Sequence, residues 1–327
     1  MFHLLNRELQ EAELTLDSAL AYQDIKTSAT AWLRKGEIAY RLSKNPIKYT
    51  NIIVKISEAI SCFERVKMLS KIGDEHYRQA ETYLLKVWEL SLKEAMQYYD
   101  RGEHQSARKF CNLSKQILPE ELTSYLLLGH IAHRLKDYPL MMQNYAKLIH
   151  SGYYREEVLS RMLAYKLEQA DFIGFIKLTD VAAEAFPEKN NYFLKEKIIR
   201  LQSKNQWKLA TTELQKLEKH YFELFDFSYL KGVNDINSGL LKTAYKQCKK
   251  LAPSTDAQKM LVAELLLILA KKIITQQSDK DGNASLSKKS KKLLARARQY
   301  LEAVKITDEN MPHVRNKLKI IGAYLGQ

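Results

Sequence analysis

Turn-forming residues are scarce in this sequence: 327 residues carry only 11 glycines and 6 prolines. A β-sandwich or an α/β chain of that length needs more of both, so the shortage points to helices. Cysteine is scarcer still. Cys62, Cys111 and Cys248 are odd in number and far apart, with no Cys-x-x-Cys pair. That argues against a disulfide framework and leaves burial as small apolar residues. Long apolar runs are missing as well. The longest, Leu261 to Ala270, contains Glu264 and stops at Lys271-Lys272, far short of the roughly 20 residues of a membrane span. The N-terminal stretch MFHLLNRELQEAEL breaks into charge after five residues, before the apolar core of a signal peptide (about 7–15 residues) can form. The expectation is a chain without a transmembrane segment in the cytoplasm, or in the periplasm if a leader has been removed. Acidic residues are the minority charge, 38 against 52 Lys plus Arg, for a net +14. Such a balance suits an acidic protein, an anionic membrane surface or nucleic acid, and it equally suits plain solubility.

The signatures of catalysis are absent too. There is no Gly-x4-Gly-Lys-Ser/Thr, Gly-x-Gly-x-x-Gly, His-Glu-x-x-His or Gly-x-Ser-x-Gly. Asp279 to Asn283 opens like a calcium loop, but Gly282 comes two positions early and Ser290 stands where the bidentate Glu belongs. His130 and His133 lie three apart on one helix, with no acidic or Cys ligand at suitable spacing. Glu120-Glu121 and Glu156-Glu157 fall at helix starts, where the helix dipole favours them. No catalytic residue, metal site or cofactor is therefore expected.

What the sequence has is a period. Ala95, Gly129, Leu163, Ile198 and Gly232 are separated by 34, 34, 35 and 34 residues. The column Ala107, Met141, Phe175, Ala210 and Ala244 keeps the same steps, as does Cys111, Tyr145, Thr179, Leu214 and Cys248. Pro119 and Pro187 lie two periods apart, each just past a helical stretch. Within one unit, Tyr125, Leu128, Gly129 and Ala132 mark one face of a first helix, and Asp137-Tyr138-Pro139 makes the turn. Met141, Tyr145 and Leu148 then mark the inward face of a second helix. Gly129 lets the two helices approach closely, against a helix-propensity cost of about 1 kcal/mol. Neither helix can bury its stripe alone, so each unit depends on its neighbours.

That spacing (aromatic-x2-Leu-Gly-x2-Ala, eight residues, apolar-x3-Tyr-x2-Leu) resembles the tetratricopeptide repeat, with Tyr125 at the family's usual Trp and Ala132 at its usual Tyr. Trp32 and Gly36 resemble the opening of an earlier unit. Its second helix carries Ala59, Phe63 and Val66, after an eleven-residue insertion, SKNPIKYTNII. Ala297, Leu301 and Val304 resemble the second helix of a last unit, and several segments are similar to the long exported repeat proteins of Bacteroidota. The resemblance implies an all-α fold, a right-handed α-solenoid of stacked antiparallel helix pairs forming one superhelix over 1–327. Residues 1–76 would be an N-terminal cap and an irregular repeat, 77–256 regular repeats, and 257–327 an irregular repeat with a basic insertion and a capping helix. The pattern predicts about sixteen helices. The first is at 2–23 and the last near 310–324, with a longer connection around Ser70 to Asp74 and an exposed loop at 277–287, QSDKDGNASLS.

In function, the resemblance implies a non-catalytic scaffold that binds a partner peptide or helix in a concave groove lined by first helices. The groove register is one, four and five residues after the first column and three before it. It selects Leu92, Met96, Tyr99 and Asp100; Leu126, His130, His133 and Arg134; Ser160, Ala164, Leu167 and Glu168; Lys195, Ile199, Gln202 and Ser203; Tyr229, Val233, Ile236 and Asn237. From these, Tyr99, Leu126, His130, His133, Arg134, Tyr229 and Val233 are the expected partner contacts. The family's Lys/Asn carboxylate clamp is not recognisable at these positions. The alternative surface is basic: residues 271–298 hold nine Lys and Arg against two Asp. There Lys288, Lys289, Lys291, Lys292, Arg296 and Arg298 would meet nucleic acid or an anionic membrane surface. No aromatic residues are interleaved for base stacking.

Overall fold

A computed structural model describes residues 2–44, 52–217, 224–281, 286–307 and 309–326. Every element in them is helical, and no strand occurs among the described residues. In order the helices are α1 (Phe2–Ala19), α2 (Gln23–Lys26), α3 (Ala29–Ser43), α4 (Ile52–Leu69), α5 (Glu75–Asp100), α6 (His104–Ile117), α7 (Leu122–Arg134), α8 (Tyr138–His150) and α9 (Glu156–Glu168). They continue with α10 (Phe172–Ala185), a 3₁₀ turn at Pro187–Lys189, α11 (Asn190–Ser203), α12 (Trp207–Lys216), α13 (Phe225–Asn237), α14 (Leu241–Lys250), α15 (Asp256–Asp281), α16 (Lys288–Glu302) and α17 (Met311–Leu325). Two compact units divide the chain inside α9, Met1–Tyr165 and Lys166–Gln327.

The three sequence columns are the interior of the helix pairs. All fifteen residues are buried except Leu163, which is half-buried. In the first unit α3 packs on α4, α5 on α6 and α7 on α8; in the second, α13 packs on α14 and α15 on α16. The glycines of the first column are where the close approach occurs. A Cβ on Gly129 would run into the ring of Tyr145, from the third column, coming within 2.9 Å of Cζ. A Cβ on Gly36 would lie 2.6 Å from Cε1 of Phe63. Phe63 thus occupies the place of Tyr145 in the insertion-bearing unit.

A second regularity is carried by the backbone. Gly102, Lys136, Ala170, Asn205 and Gly239 all have left-handed φ, between 54° and 79°. They too are spaced by 34, 34, 35 and 34 residues. Each follows a first helix and donates its N–H three residues back, while the next residue donates five back. Lys136 N to His133 O is 3.1 Å and Asp137 N to Ala132 O is 2.9 Å; Asn205 N to Gln202 O is 2.9 Å and Gln206 N to Leu201 O is 2.8 Å. This paired closure satisfies carbonyls that a helix end leaves orphaned. The chain then enters the second helix at once. The Asp137 carboxylate accepts from Leu140 N–H and Asp171 from Gly174 N–H, capping α8 and α10, and Pro139 sits in the first turn of α8.

The units differ in their long helices. In the first, α5 serves two neighbours: Ala80, Leu84 and Val87 are buried near its start, and Ser91 and Ala95 further on. Core residues of α4, α5 and α6 form one cluster. In the second unit, α15 buries Val262, Ala263, Leu265, Leu266, Leu267, Leu269 and Ala270 on both sides. An apolar helix of that kind is a core element, and α13, α14, α16 and α17 all contact it. Helix α15 also corrects the reading of 277–287 as a loop, since it runs on to Asp281. The first helix breaker after Ile274 is Gly282, and the Gln, Lys, Ser and Asp between them cost a helix far less than Gly or Pro. Residues 282–285 of that segment, and most of the first insertion (45–51), lie outside the described residues. The opening helix stops at Ala19 rather than residue 23, with α2 following as a separate turn.

Candidate partner-binding surfaces

In the first unit, the expected contacts of α5 and α7 come together with residues of α9. The pivot is Arg161, which the groove register passed over. Its Nη1 donates to the Tyr145 hydroxyl at 2.9 Å and to His130 Nδ1 at 2.5 Å. A guanidinium only donates, so Nδ1 is the acceptor and the ring proton sits on Nε2. That nitrogen faces Glu157 Oε1 at 3.3 Å. Burial lowers the pKa of His130, and the Arg161 cation lowers it further while Glu157 opposes; the ring is neutral at neutral pH. Both its nitrogens are engaged. His133 is lowered too, by burial and then by the Arg161 and Arg134 cations, and its ring meets Tyr138 edge-on at 6.3 Å. Tyr138 in turn stacks on Tyr165 at 5.2 Å. Arg134 is exposed at the end of α7, beside the Tyr99 hydroxyl. Tyr99 itself packs against His104 at 5.3 Å. Leu126 is half-buried, and Met96, one turn before Tyr99, is exposed.

The architecture explains why Arg161 stands still. Gly129 makes room for the Tyr145 ring, which is fully buried. Burial pushes the Tyr145 hydroxyl up in pKa even though Arg161 opposes, so it remains a neutral acceptor. Among the described residues, Nη1 alone of the Arg161 nitrogens has partners. Its Nε and Nη2 donors form a held fork of the shape that matches a carboxylate.

In the second unit the expected contacts are used differently. Ile236 and Gln202 are not groove residues. Ile236 is 1% exposed and joins the apolar cluster around α15, and Gln202 is buried with Nε2 donating to the Leu230 carbonyl at 2.9 Å. The bulk of α15 draws that face of α13 inward. Tyr229 and Val233 are half-buried and pack on the same cluster, and Tyr229 also stacks on Phe225 at 6.1 Å.

The basic segment separates into distinct roles. Lys288, Lys289, Lys291 and Lys292 are exposed on the first turns of α16. Arg296 is otherwise employed: its Nη1 and Nη2 donate to the carbonyls of Cys248, Lys249 and Leu251 at 3.1–3.3 Å and to the Tyr300 hydroxyl at 2.9 Å. It closes the C-terminal end of α14, as a cation should. Arg298 pairs with Glu302 at 2.8 Å. The three cysteines are buried, and burial pushes each thiol up to about 12, which makes them inert. No described helix is long and apolar enough to cross a membrane.

No family model matches the sequence, and no curated protein matches it. Solved structures to which the fold is similar include a tetratricopeptide repeat protein from Parabacteroides merdae, at 11% identity and a TM-score of 0.29 over 80% of this chain and 98% of that one. Yeast Tom70 is similar at 12% and 0.32, over 84% of this chain and 61% of Tom70. The TPR domain of P58(IPK) is similar at 12% and 0.30, over 99% of this chain and 95% of the domain. The helix pairs themselves, with their shared period, repeated turn and glycine–aromatic contact, make this an all-α helical repeat.

Proposed function

We propose that the protein is a non-catalytic interaction scaffold, and that its first unit holds a segment of a partner protein along α5, α7 and α9. The observation that carries the reading is the Arg161 fork. A half-buried guanidinium, fixed at one nitrogen by Tyr145 and His130 and unpartnered at the others among the described residues, is preorganised for a carboxylate. Arg134 adds a second cation, while Tyr99, Leu126, Met96 and His133 supply apolar and aromatic contact around it. The partner is therefore a peptide or helix with an acidic residue flanked by apolar anchors. Aromatic and Arg side chains are the residue types that carry most binding energy at such surfaces.

The test is affinity capture from the native cell, with mass-spectrometric identification of what is retained, using the wild type, Arg161→Lys and the Tyr99→Ala/Leu126→Ala double variant. Arg161→Lys keeps the charge and loses the fork. The same partner is expected to be retained by the wild type and lost from both variants, with helicity unchanged by circular dichroism. Retention by all three proteins would place binding on another face.

A further inference from the structure

The second unit holds a cleft of about 600 Å³ that the groove register did not select. Its apolar floor is Leu241, Tyr245 and Ile273, from α14 and α15. Its rim is lysine: Lys242, Lys246 and Lys249 from α14, and Lys289 from α16. On α14 the three fall at i, i+4 and i+7, which is one stripe about 10 Å long.

These lysines differ from others in the same unit. Lys166, Lys195, Lys259 and Lys317 each meet a carboxylate, at 2.6–2.9 Å. Among the described residues no carboxylate pairs with any of the four rim lysines; Lys249 lies over the Tyr245 ring instead, at 5.4 Å. The start of α16 makes the imbalance sharper. Ser287 caps it, and four of its first five residues are lysine with no acidic residue in the first turn. Cations there oppose the helix dipole, which favours an anion at that end. Ammonium groups crowded around a cleft, at a helix end that already carries positive potential, are relieved by an anionic occupant.

We infer that this cleft binds an acidic segment of a protein, with carboxylates on the lysine rim and one bulky apolar side chain on the floor. The volume is that of a site which takes an apolar anchor with polar groups around it. Nucleic acid fits less well, since the one aromatic face in the cleft is covered by Lys249 and is not free for base stacking. A bilayer fits less well because the lysines ring a concavity that a flat surface does not enter. The site lies wholly within the second unit and is independent of Arg161.

The probe is a fluorescein-labelled peptide, EEAFEELAEE, titrated by anisotropy at low salt against the full chain. Three comparisons accompany it: a peptide with Gln for Glu, a peptide with Ser for Phe and Leu, and the protein variant Lys242→Glu/Lys246→Glu. Both substituted lysines are exposed, so the fold is retained, which circular dichroism checks. Saturable binding is expected to weaken at least tenfold in each comparison, and the lysine variant to lose as much in an Arg161→Lys background, where the first unit's own contact with an acidic peptide is removed. Equal binding by the lysine variant, no saturable binding by the wild type, or equal binding by the Ser peptide would overturn the inference. So would displacement of the peptide by random duplex DNA or phosphatidylserine vesicles at lower concentration than by unlabelled peptide.

Discussion

Removing one lysine from the core of the second unit should cost more than any surface substitution, and the geometry sets the size. Lys197 on α11 and Glu213 on α12 have side chains 5% and 3% exposed, with Nζ 2.7 Å from Oε2. Asp180 meets the same Nζ at 2.5 Å, and Lys216 meets Glu213 Oε1 at 2.5 Å. Burial alone would raise the pKa of Glu213, but the adjoining Lys197 and Lys216 ammonium groups overcome it, and the net direction is downward. In Lys197→Met the carboxylate keeps only Lys216, which is 60% exposed and screened by water. Stranding one member of a buried pair typically costs about 3–5 kcal/mol; with Lys216 still present, about 2–4 kcal/mol is expected. The double variant Lys197→Met/Glu213→Leu removes the stranded charge and should recover most of the loss, because well-packed apolar groups replace buried pairs at little cost. Urea unfolding followed by Trp207 fluorescence, with Trp32 and Trp88 changed to Phe, confines the readout to this unit. The pH dependence carries a sign. In the wild type Glu213 stabilises above its unfolded pKa, and that contribution is lost as pH falls through the depressed folded value. In Lys197→Met the stranded carboxylate has a raised pKa, so the penalty shrinks on acidification. A single-variant loss under about 1 kcal/mol, or a double variant no better than the single, would refute the argument.

Four further outcomes are expected. Gly129→Ala drives a methyl into the Tyr145 ring; thermal unfolding should show a loss of about 1–3 kcal/mol, and the variant should release the partner captured through Arg161. Lys136→Gly removes a Cβ from a left-handed residue with φ 58° and should raise stability by up to about 1 kcal/mol in urea titration. Gly239→Ala, at φ 77°, should lower it comparably. Protonating His130 takes the acceptor away from Arg161. Because its folded pKa lies below the ordinary 6.5, folding stability should be level above that pH and fall as pH drops beneath it. The slope of melting temperature between pH 6.5 and 5.5 should be smaller in His130→Gln.

The helix pairs were legible because close packing leaves a mark on residue size. Gly129 must be small and Tyr145 must be large for the same reason, namely that one ring fills the space one Cβ vacates. The earlier unit could be aligned despite its insertion because Gly36 and Phe63 preserve that pairing. The left-handed turn was not legible in the same way. Only Gly102 and Gly239 announce it by composition. Lys136, Ala170 and Asn205 adopt the same backbone because the two closing hydrogen bonds of the turn hold them there, at a conformational cost of about 1–2 kcal/mol per residue. The groove register failed at Ile236 and Gln202 for a reason outside their own helices. Which face of α13 is interior depends on α15, an apolar helix that packs on α13, α14, α16 and α17, while Gln202 of α11 is drawn in by the Leu230 carbonyl of α13, and no local spacing reports either contact.

Arg161 shows what a repeat register leaves out. A register compares each unit with the next, so it finds what recurs; a binding residue is under no pressure to recur. The equivalents of Arg161 one period away are Leu127 and Lys195 or Glu196, so the position has no type of its own. What singles it out is a conjunction of two helix pairs. The third-column side chain of one unit happens to be Tyr rather than Cys, Thr or Leu, and so it ends in a hydroxyl. His130 follows the first-column glycine by one residue and offers a second acceptor beside it. Only this unit combines a first-column glycine, a third-column tyrosine and a following histidine. The same glycine–tyrosine contact that closes the helix pair therefore also orients the cation that the partner is proposed to meet. Tyr145→Phe separates the two roles. It keeps the ring beneath Gly129 and removes the hydroxyl, so melting should shift little while partner capture weakens toward that of Arg161→Lys. If Tyr145→Phe captures the partner as well as the wild type does, the hydroxyl has no part in holding Arg161 for binding, and the link drawn here between packing and recognition is wrong.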